Sequence, residues 1–239
     1  DVGTNNERLL NHPLYPGCQS PRLEGKAYFD VIDSAIKALK ERFPHALFHW
    51  EDFGREHAQR HLDHHKNTLC TFNDDIQGTG AVALATVLAA CSANRADIRK
   101  QTIAIFGAGT AGIGIADRLY QALKMNGLSD KNARENIWLI DRQGLILTGM
   151  KGLTSGQRKY AKPKELVNTW AGVSTQHPIE LNTVIHHAKP QVLIGCSAVR
   201  GAFNPSIVTS MLHYTDHPII LPLSNPTEYS EATPQDLVY

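Results

Sequence analysis

Short apolar runs and amphipathic segments alternate over the second half of the chain. Four runs rich in β-branched and aliphatic residues predict buried strands, at 102–106, 137–140, 192–195 and 219–223. Segments with helical periodicity lie between or beside them, at 113–124, 184–188 and 205–212. Continuous apolar strands that alternate with helices indicate a mostly parallel sheet with helices on both faces. The pattern therefore predicts a doubly wound α/β fold.

The first part of the chain has a different pattern. Three helices are predicted there, an amphipathic one at 25–42, a polar one at 54–66 and an alanine-rich one at 78–93. The alanine-rich segment is apolar nearly all round, which predicts a helix buried on most sides. Two short apolar runs, 46–50 and 69–72, predict strands that lead into acidic residues.

The composition narrows the functional classes. The 239 residues carry 24 basic and 23 acidic side chains, and a net charge of +1 excludes a nucleic-acid binder that relies on bulk charge. No consecutive apolar run approaches about 20 residues, so we expect neither a transmembrane helix nor a membrane partner. Four single cysteines without metal-type spacing predict reduced thiols and a cytoplasmic protein, at Cys18, Cys70, Cys91 and Cys196.

A glycine motif joins the strand at 102–106 to the helix that follows it. Residues 107–112 fit the GxGxxG pattern. The glycines are Gly107, Gly109 and Gly112, and the positions between them hold Ala108, Thr110 and Ala111. The first glycine permits a tight turn, the second lets the backbone approach a pyrophosphate, and the third allows close packing of helix on strand. This context favours a Rossmann-like dinucleotide site, and the alternative interpretation is an ordinary structural turn.

The strand at 137–140 ends at Asp141, followed directly by Arg142. An aspartate at this position can accept hydrogen bonds from the ribose hydroxyls of adenosine, which favours NAD over NADP. A guanidinium at Arg142 could instead hold the 2′-phosphate of NADP, and a helix-cap role for Asp141 stays open. We also expect Cys196 and Ser197 to line the nicotinamide pocket, because they follow the strand at 192–195.

Two carboxylate pairs end the apolar runs of the first part, Glu51-Asp52 and Asp74-Asp75. Four carboxylates that leave buried segments are costly unless something compensates their charge. Mg²⁺ or Mn²⁺, which prefer oxygen ligands, would do so. Neighbouring residues of a regular strand point to opposite faces, so a pair can share one metal only where the strand has ended or kinked. Capping and surface carboxylates are the alternative interpretation.

A histidine-rich segment at 57–65 offers no comparable case for zinc. Its histidines have roughly helical spacing, but basic residues surround them and no cysteine or glutamate completes a site: His57, His61, His64 and His65. We expect them to form a solvated helix face.

Several motifs, in this order and spacing, resemble the malic enzymes. They are WEDF at Trp50–Phe53, CTFNDDIQGT at Cys70–Thr79, the glycine motif, and LSNPT at Leu223–Thr227. The opening DVGTNN is also similar to that family, and the match extends over nearly the whole chain. The resemblance implies oxidative decarboxylation of L-malate to pyruvate and CO₂ with reduction of NAD(P)⁺.

By position, the resemblance implies metal ligands at Glu51, Asp52 and Asp75. Asp74 would be the catalytic carboxylate that hydrogen-bonds the family's lysine. Asn225 would contact substrate and the nicotinamide ribose region. It also implies a division into a metal- and substrate-side segment, 1–90, and a dinucleotide-binding domain, 91–239.

The family's catalytic tyrosine and lysine, and an arginine for malate, precede the position equivalent to Asp1. We therefore expect a piece of a longer, homo-oligomeric protein, inactive or nearly so by itself. A malolactic enzyme, which converts malate to lactate and CO₂, has the same motifs. A dinucleotide-binding module without catalysis is the alternative from another functional class.

Overall fold

The computed structural model describes residues 1–237, apart from the side chains of Arg55 and Glu56. It divides into two compact units, Asp1–Phe48 with Thr68–Cys70 and His49–Asn67 with Thr71–Tyr239. This division by compactness differs from the functional one, 1–90 and 91–239, which stays a prediction.

The smaller unit contains two helices, α1 (Glu7–Leu10) and α2 (Gly25–Arg42). The helix expected at 25–42 is confirmed. The carboxylate of Asp1 accepts hydrogen bonds from the backbone N–H groups of Gly3 and Cys18, both at 2.7 Å. These bonds close the irregular segment that precedes α2.

The larger unit, which starts at His49, includes a small two-stranded sheet, except for Phe48 at its first position, and the helices beside that sheet. In chain order the elements are β1 (Phe48–Trp50), α3 (Arg55–His65), β2 (Thr71–Asn73), a π-helix (Asp74–Gly78) and α4 (Thr79–Ala93). Both predicted strands form, each shorter than its apolar run. The π-helix, which the sequence pattern did not predict, continues directly into α4.

A five-stranded sheet forms the centre of this unit, in the order β5-β4-β3-β6-β7. The strands are β3 (Ile103–Phe106), β4 (Ile137–Asp141), β5 (Gly144–Leu145), β6 (Val192–Gly195) and β7 (Ile219–Pro222). Strands β4, β3, β6 and β7 are parallel, and only β5 runs antiparallel, beside β4. Phe106 pairs with both Ile140 and Gly195, so the carboxyl ends of three strands meet at one edge.

Helices cover both faces of the sheet, as predicted. The remaining helices are α5 (Thr110–Met125), α6 (Asp130–Glu135), α7 (Ser155–Tyr160), α8 (Lys164–Val167), α9 (Leu181–Ala188), α10 (Pro205–Leu212) and α11 (Pro234–Leu237). Along β3, Ile103 and Ile105 join one apolar cluster with α4 and α5, whereas Ala104 joins another with α9 and α10. The Rossmann-like α/β fold is confirmed.

The expectation that the alanine-rich helix is buried on most sides is wrong. Helix α4 buries one face of small residues, including Gly80, Ala83 and Val87, while Val82 on another face is 67% exposed. The continuous helical segment Asp74–Ala93 has 20 residues and contains an 18-residue window of mean hydropathy 1.5, so by length and composition alone it could cross a membrane. Polar residues interrupt its sequence, which is why apolar run length did not reveal it.

The expected solvated histidine face is also wrong in part. His61 and His65 are buried, and both rings stack on Trp50, with centroids 5.2 and 5.4 Å away. His64 is exposed and His57 is half-buried. Tertiary contact with the indole of β1 selects which side of α3 is covered, and helical spacing alone does not contain that information.

Candidate functional site

The glycine motif forms the turn between β3 and α5. Gly107 has a φ of +106°, in the region that favours glycine, and an added Cβ there would overlap the carbonyl of Cys196. At Gly112 an added Cβ would overlap the carbonyl oxygen of Gly107. Helix α5 begins at Thr110, with Gly109 as its N-cap residue. The first and third glycines of the motif therefore have the steric roles that a phosphate-binding turn requires.

Asp141 lies half-buried at the end of β4, and a buried glutamine holds its carboxylate. Nε2 of Gln157 donates to Oδ2 of Asp141 at 3.0 Å and to the carbonyl of Ala108, within the glycine turn, at 3.1 Å. Gln157 is 2% exposed and forms a capping box with Thr154 at the start of α7. Sequence reasoning missed Gln157, although the T-x-x-Q pattern of a capping box was present.

A cleft of about 500 Å³ opens at the carboxyl ends of the central strands. It brings together four of the predicted cofactor residues, Gly107, Asp141, Arg142 and Ser197. Gly109 and Thr110 border a larger cleft of about 870 Å³ on α5, and Lys159 lines that cleft too. The smaller cleft lies beside the central strand β3, where the sheet order reverses, and dinucleotides bind at this point in open α/β sheets.

The acidic residues of the two pairs converge at the ends of β1 and β2. Ligand oxygens of Glu51, Asp52 and Asp75 all lie within 4.8 Å of one another. Strand β1 ends at Trp50, and Asp52 then adopts a left-handed φ of 58°. The chain is therefore kinked at Asp52, as two adjacent acids require in order to bind the same metal ion. The backbone N–H of Asp52 donates to Oδ2 of Asp75 at 3.0 Å, which ties the two segments together.

Like charges crowd this acidic cluster, defined as Glu51, Asp52, Asp74 and Asp75. The pKa of Glu51 is raised by partial removal of its carboxylate from water and by the neighbouring charges of Asp75, Asp74 and Asp52. Asp74 and Asp75 occupy the first turn of the π-helix, where the helix dipole favours negative charge. The ligand atoms of Glu51, Asp52 and Asp75 are all carboxylate oxygens and lie close together, so these residues fit Mg²⁺ or Mn²⁺.

The acidic cluster and the glycine turn meet through helix α5. An added Cβ at Gly114 of α5 would overlap the carbonyl oxygen of Ile76 in the π-helix, and one at Gly80 would lie 3.0 Å from the carbonyl oxygen of Gly114. The helix that presents the glycine turn therefore packs backbone against backbone on the segment that carries Asp74 and Asp75.

Asn225, another predicted cofactor residue, is exposed in the segment after β7. It is not among the residues that line the two clefts described above. Its neighbour Ser224 bonds to Glu231, a buried carboxylate that also binds Ser197. Sequence reasoning missed Glu231, because a single glutamate in a polar segment carries no motif.

Models of known protein families match most of this chain. A model described as "Malic enzyme, NAD binding domain" matches residues 76–239, and one described as "Malic enzyme, N-terminal domain" matches residues 1–66. The chain belongs to the malic enzyme family. The resemblance carried by its sequence motifs is thereby confirmed.

Curated relatives are similar over the whole chain. It is 47% identical to NAD-dependent malic enzyme 3 of Bacillus subtilis and 44% identical to a malolactic enzyme of Leuconostoc mesenteroides. All of this chain is covered in each case, against 42% and 43% of the relatives. The chain thus spans less than half the length of these members of the malic enzyme family.

Solved structures share the fold. The NAD-dependent malic enzyme of Thermotoga maritima aligns with a TM-score of 0.66 at 23% identity, over 91% of this chain and 52% of that one. The malic enzyme of Pyrococcus horikoshii aligns with the same score at 21% identity, over 91% and 47%. The α/β architecture described above is therefore that of known malic enzyme structures.

Proposed function

We propose that this chain is the dinucleotide- and metal-binding portion of a malic enzyme, which converts L-malate to pyruvate and CO₂ and reduces NAD⁺. The observation that carries the proposal is the convergence of Glu51, Asp52 and Asp75 within 4.8 Å, on a segment that packs against the helix of the glycine turn. A metal-ligand set and a dinucleotide turn in one unit match a reaction that combines hydride transfer with decarboxylation.

The acidic cluster would hold Mg²⁺ or Mn²⁺ through Glu51, Asp52 and Asp75. When bound, the cation supplies Lewis-acid stabilisation of the negative charge that develops on the substrate oxygen as CO₂ leaves. The chain's own contribution is to keep the three carboxylates close together, through the kink at Asp52 and its bond to Asp75. Asp74, beside them, would orient the family's catalytic lysine.

The glycine turn would bind the dinucleotide. Backbone N–H groups of Gly109, Thr110, Ala111 and Gly112 lie at the start of a 16-residue helix, which favours a pyrophosphate. Asp141 would accept the ribose hydroxyls, with its carboxylate oriented by the amide of Gln157. Ser197 and Asn225, after β6 and β7, would contact the nicotinamide half.

NAD is the proposed cofactor in preference to NADP. A fixed carboxylate at Asp141 would repel a 2′-phosphate, and its bond to Gln157 keeps it in the cleft. The neighbouring Arg142 is exposed at the rim of the same cleft and is the residue that could reverse this preference.

The reaction product tests the activity. A polypeptide that carries this chain together with the family's remaining length is incubated with L-malate, NAD⁺ and Mn²⁺, and the products are measured. Pyruvate with stoichiometric NADH supports the proposal. Lactate without net NADH would establish the malolactic alternative, the activity named for the relative that is 44% identical. Absence of malate turnover, with NAD⁺ still bound, would leave a non-catalytic dinucleotide module.

The assembly and the compartment are also proposals. We propose a cytoplasmic homo-oligomer for the longer protein, with L-malate as its small-molecule partner and with neither nucleic acid nor membrane involved. Light scattering on the longer polypeptide tests the first point. A monomeric mass with full activity would contradict it.

A further inference from the structure

Glu231 is a buried carboxylate without a cationic partner. Its side chain is 0% exposed, and no lysine, arginine or histidine of the described residues lies within ion-pair distance of it. A buried charge is costly unless hydrogen-bond donors replace the lost water. Glu231 therefore depends on neighbouring hydrogen-bond donors to compensate for its burial.

Two serines supply these donors, one from each of two neighbouring strand ends. The backbone N–H and the hydroxyl of Ser197 each donate to Oε1 of Glu231 at 2.7 Å. The hydroxyl of Ser224 donates to the same oxygen at 2.7 Å, and its backbone N–H faces Oε2 at 3.4 Å. Charge-assisted bonds of this length are among the strong ones in proteins.

The orientation of both hydroxyls is fixed by further bonds. The backbone N–H of Val199 donates to Oγ of Ser197 at 3.1 Å, and that of Ala198 donates to Oγ of Ser224 at 2.9 Å. Each oxygen thus accepts a backbone bond while its own proton goes to Glu231. The carboxylate of Glu231 thus accepts hydrogen bonds from two hydroxyls and two backbone N–H groups.

The backbone around Glu231 is equally constrained. Its carbonyl accepts a bond from Phe203 N–H at 2.9 Å, and the carbonyl of Ser230 accepts one from Gly201 N–H at 3.1 Å. At Gly195 an added Cβ would lie 2.5 Å from Cδ of Glu231. A side chain at the last residue of β6 would therefore displace this carboxylate.

The two strand ends joined in this way border the proposed dinucleotide site. Cys196, before Ser197, packs against the first glycine of the turn, Gly107, and Ser224 directly precedes Asn225. We propose that Glu231 is a positioning residue for dinucleotide binding, whose carboxylate fixes Ser197 and the Ser224-Asn225 backbone at the carboxyl ends of β6 and β7. The inference rests on the proposed function. Glu231 itself is too deeply buried to touch a ligand.

Calorimetric titration of the chain with NAD⁺ tests this role. Glu231→Ala removes every acceptor, and we expect the Kd to rise at least tenfold. Glu231→Gln retains an oxygen that can accept the three bonds now made to Oε1, so we expect a rise of about threefold. Glu228→Ala removes an exposed charge three residues away and is the matched control, with an unchanged Kd. All titrations are made at a temperature where thermal unfolding shows each variant to be folded.

The outcomes separate the inference from the proposed function. Folded Glu231→Ala that binds NAD⁺ as the wild type does would overturn the positioning role. If Glu231→Ala does not fold, Glu231→Gln and Ser224→Ala decide, and wild-type affinity in both would overturn it.

Failure of the wild-type chain to bind NAD⁺ would instead contradict the proposed function. Amide hydrogen exchange then tests the network alone. Exchange of the Ser197 amide at least tenfold faster in Glu231→Gln supports the fixation of this strand end. An unchanged rate would contradict it.

Discussion

The glycine turn and the acidic cluster are constructed on opposite physical principles. The turn is part of a packed backbone, in which Gly107 abuts Cys196 and Gly112 abuts Gly107 without space for a side chain. The cluster is partly exposed, and the pKa of Glu51 is raised by partial desolvation and by the nearby carboxylates. Close backbone packing specifies the turn, whereas the cluster holds like charges together, a repulsion that a bound cation would relieve.

This difference separates stability from function in the two regions. Substitutions in the turn should damage the folded state and ligand binding together. Substitutions in the acidic cluster should abolish metal binding and leave the metal-free protein as stable as before, because the native cluster is a strained set of like charges.

The largest expected effect is that of Gly112→Ala. The added methyl group collides with the backbone of Gly107, so we expect a loss of roughly 2–3 kcal/mol in the free energy of unfolding. NAD⁺ binding should be lost as well. Thermal and calorimetric measurements check both. Gly54→Ala is the control, since an added Cβ there meets nothing within 4 Å. An equal loss in the free energy of unfolding of both variants would contradict the steric explanation.

Asp75→Asn should weaken metal binding without destabilising the folded chain. We expect Mn²⁺ affinity to fall at least tenfold in calorimetry, because Asp75 is one of three convergent carboxylates and also accepts the Asp52 N–H. The Tm without metal should be unchanged or higher. The exposed Asp216→Asn controls for loss of a charge elsewhere. A lower metal-free Tm with unaltered Mn²⁺ affinity would assign Asp75 to structure instead.

Lys162 provides a buried charge for comparison with the exposed acids. Its Nζ donates to the carbonyls of Arg134 and Glu135, and burial lowers its pKa to about 7. Between pH 7 and the unfolded value near 10.5 the unfolded chain binds more protons, so stability should rise with pH by about 1 kcal/mol per unit. Below pH 7 the destabilisation is fully present.

Denaturant unfolding at pH 7, 8 and 9 measures this slope. In Lys162→Met the titrating group is gone, so the rise should flatten even if the variant is less stable overall. The same slope in both proteins would mean that Lys162 is not its source.

The smallest expected effect concerns cofactor choice. NAD⁺ should raise the Tm by more than NADP⁺ at equal concentration, because Asp141 opposes a 2′-phosphate and a ligand of the folded state stabilises it. Asp141→Asn should narrow the difference. A larger shift with NADP⁺ in the wild type would make Arg142 the determining residue, which Arg142→Ala would then verify.

The sequence predicts those parts of the site whose structure depends on residues that are neighbours in the chain. The GxGxxG motif between a β-branched run and an amphipathic helix predicts the turn, and two adjacent acid pairs predict a cluster. The requirement for a kink between Glu51 and Asp52 follows from strand geometry, and the left-handed Asp52 satisfies it.

Other features depend on contacts that no single-sequence pattern contains. Glu231 meets Ser197 and Ser224 only because β6 and β7 are neighbours in the sheet. The burial of His61 and His65 requires the indole of Trp50, and the exposed face of α4 reflects which of its apolar sides α5 covers. Gln157 is intermediate, since its capping box is local but its bond to Asp141 is not.

Mn²⁺-induced relaxation of the protons of bound NAD⁺ tests the central claim, that the acidic cluster and the glycine turn serve one reaction centre. The nicotinamide protons should relax several-fold faster than adenine H8, and Asp75→Asn should remove the difference. Equal relaxation at both rings, or an effect that survives Asp75→Asn, would contradict a shared site.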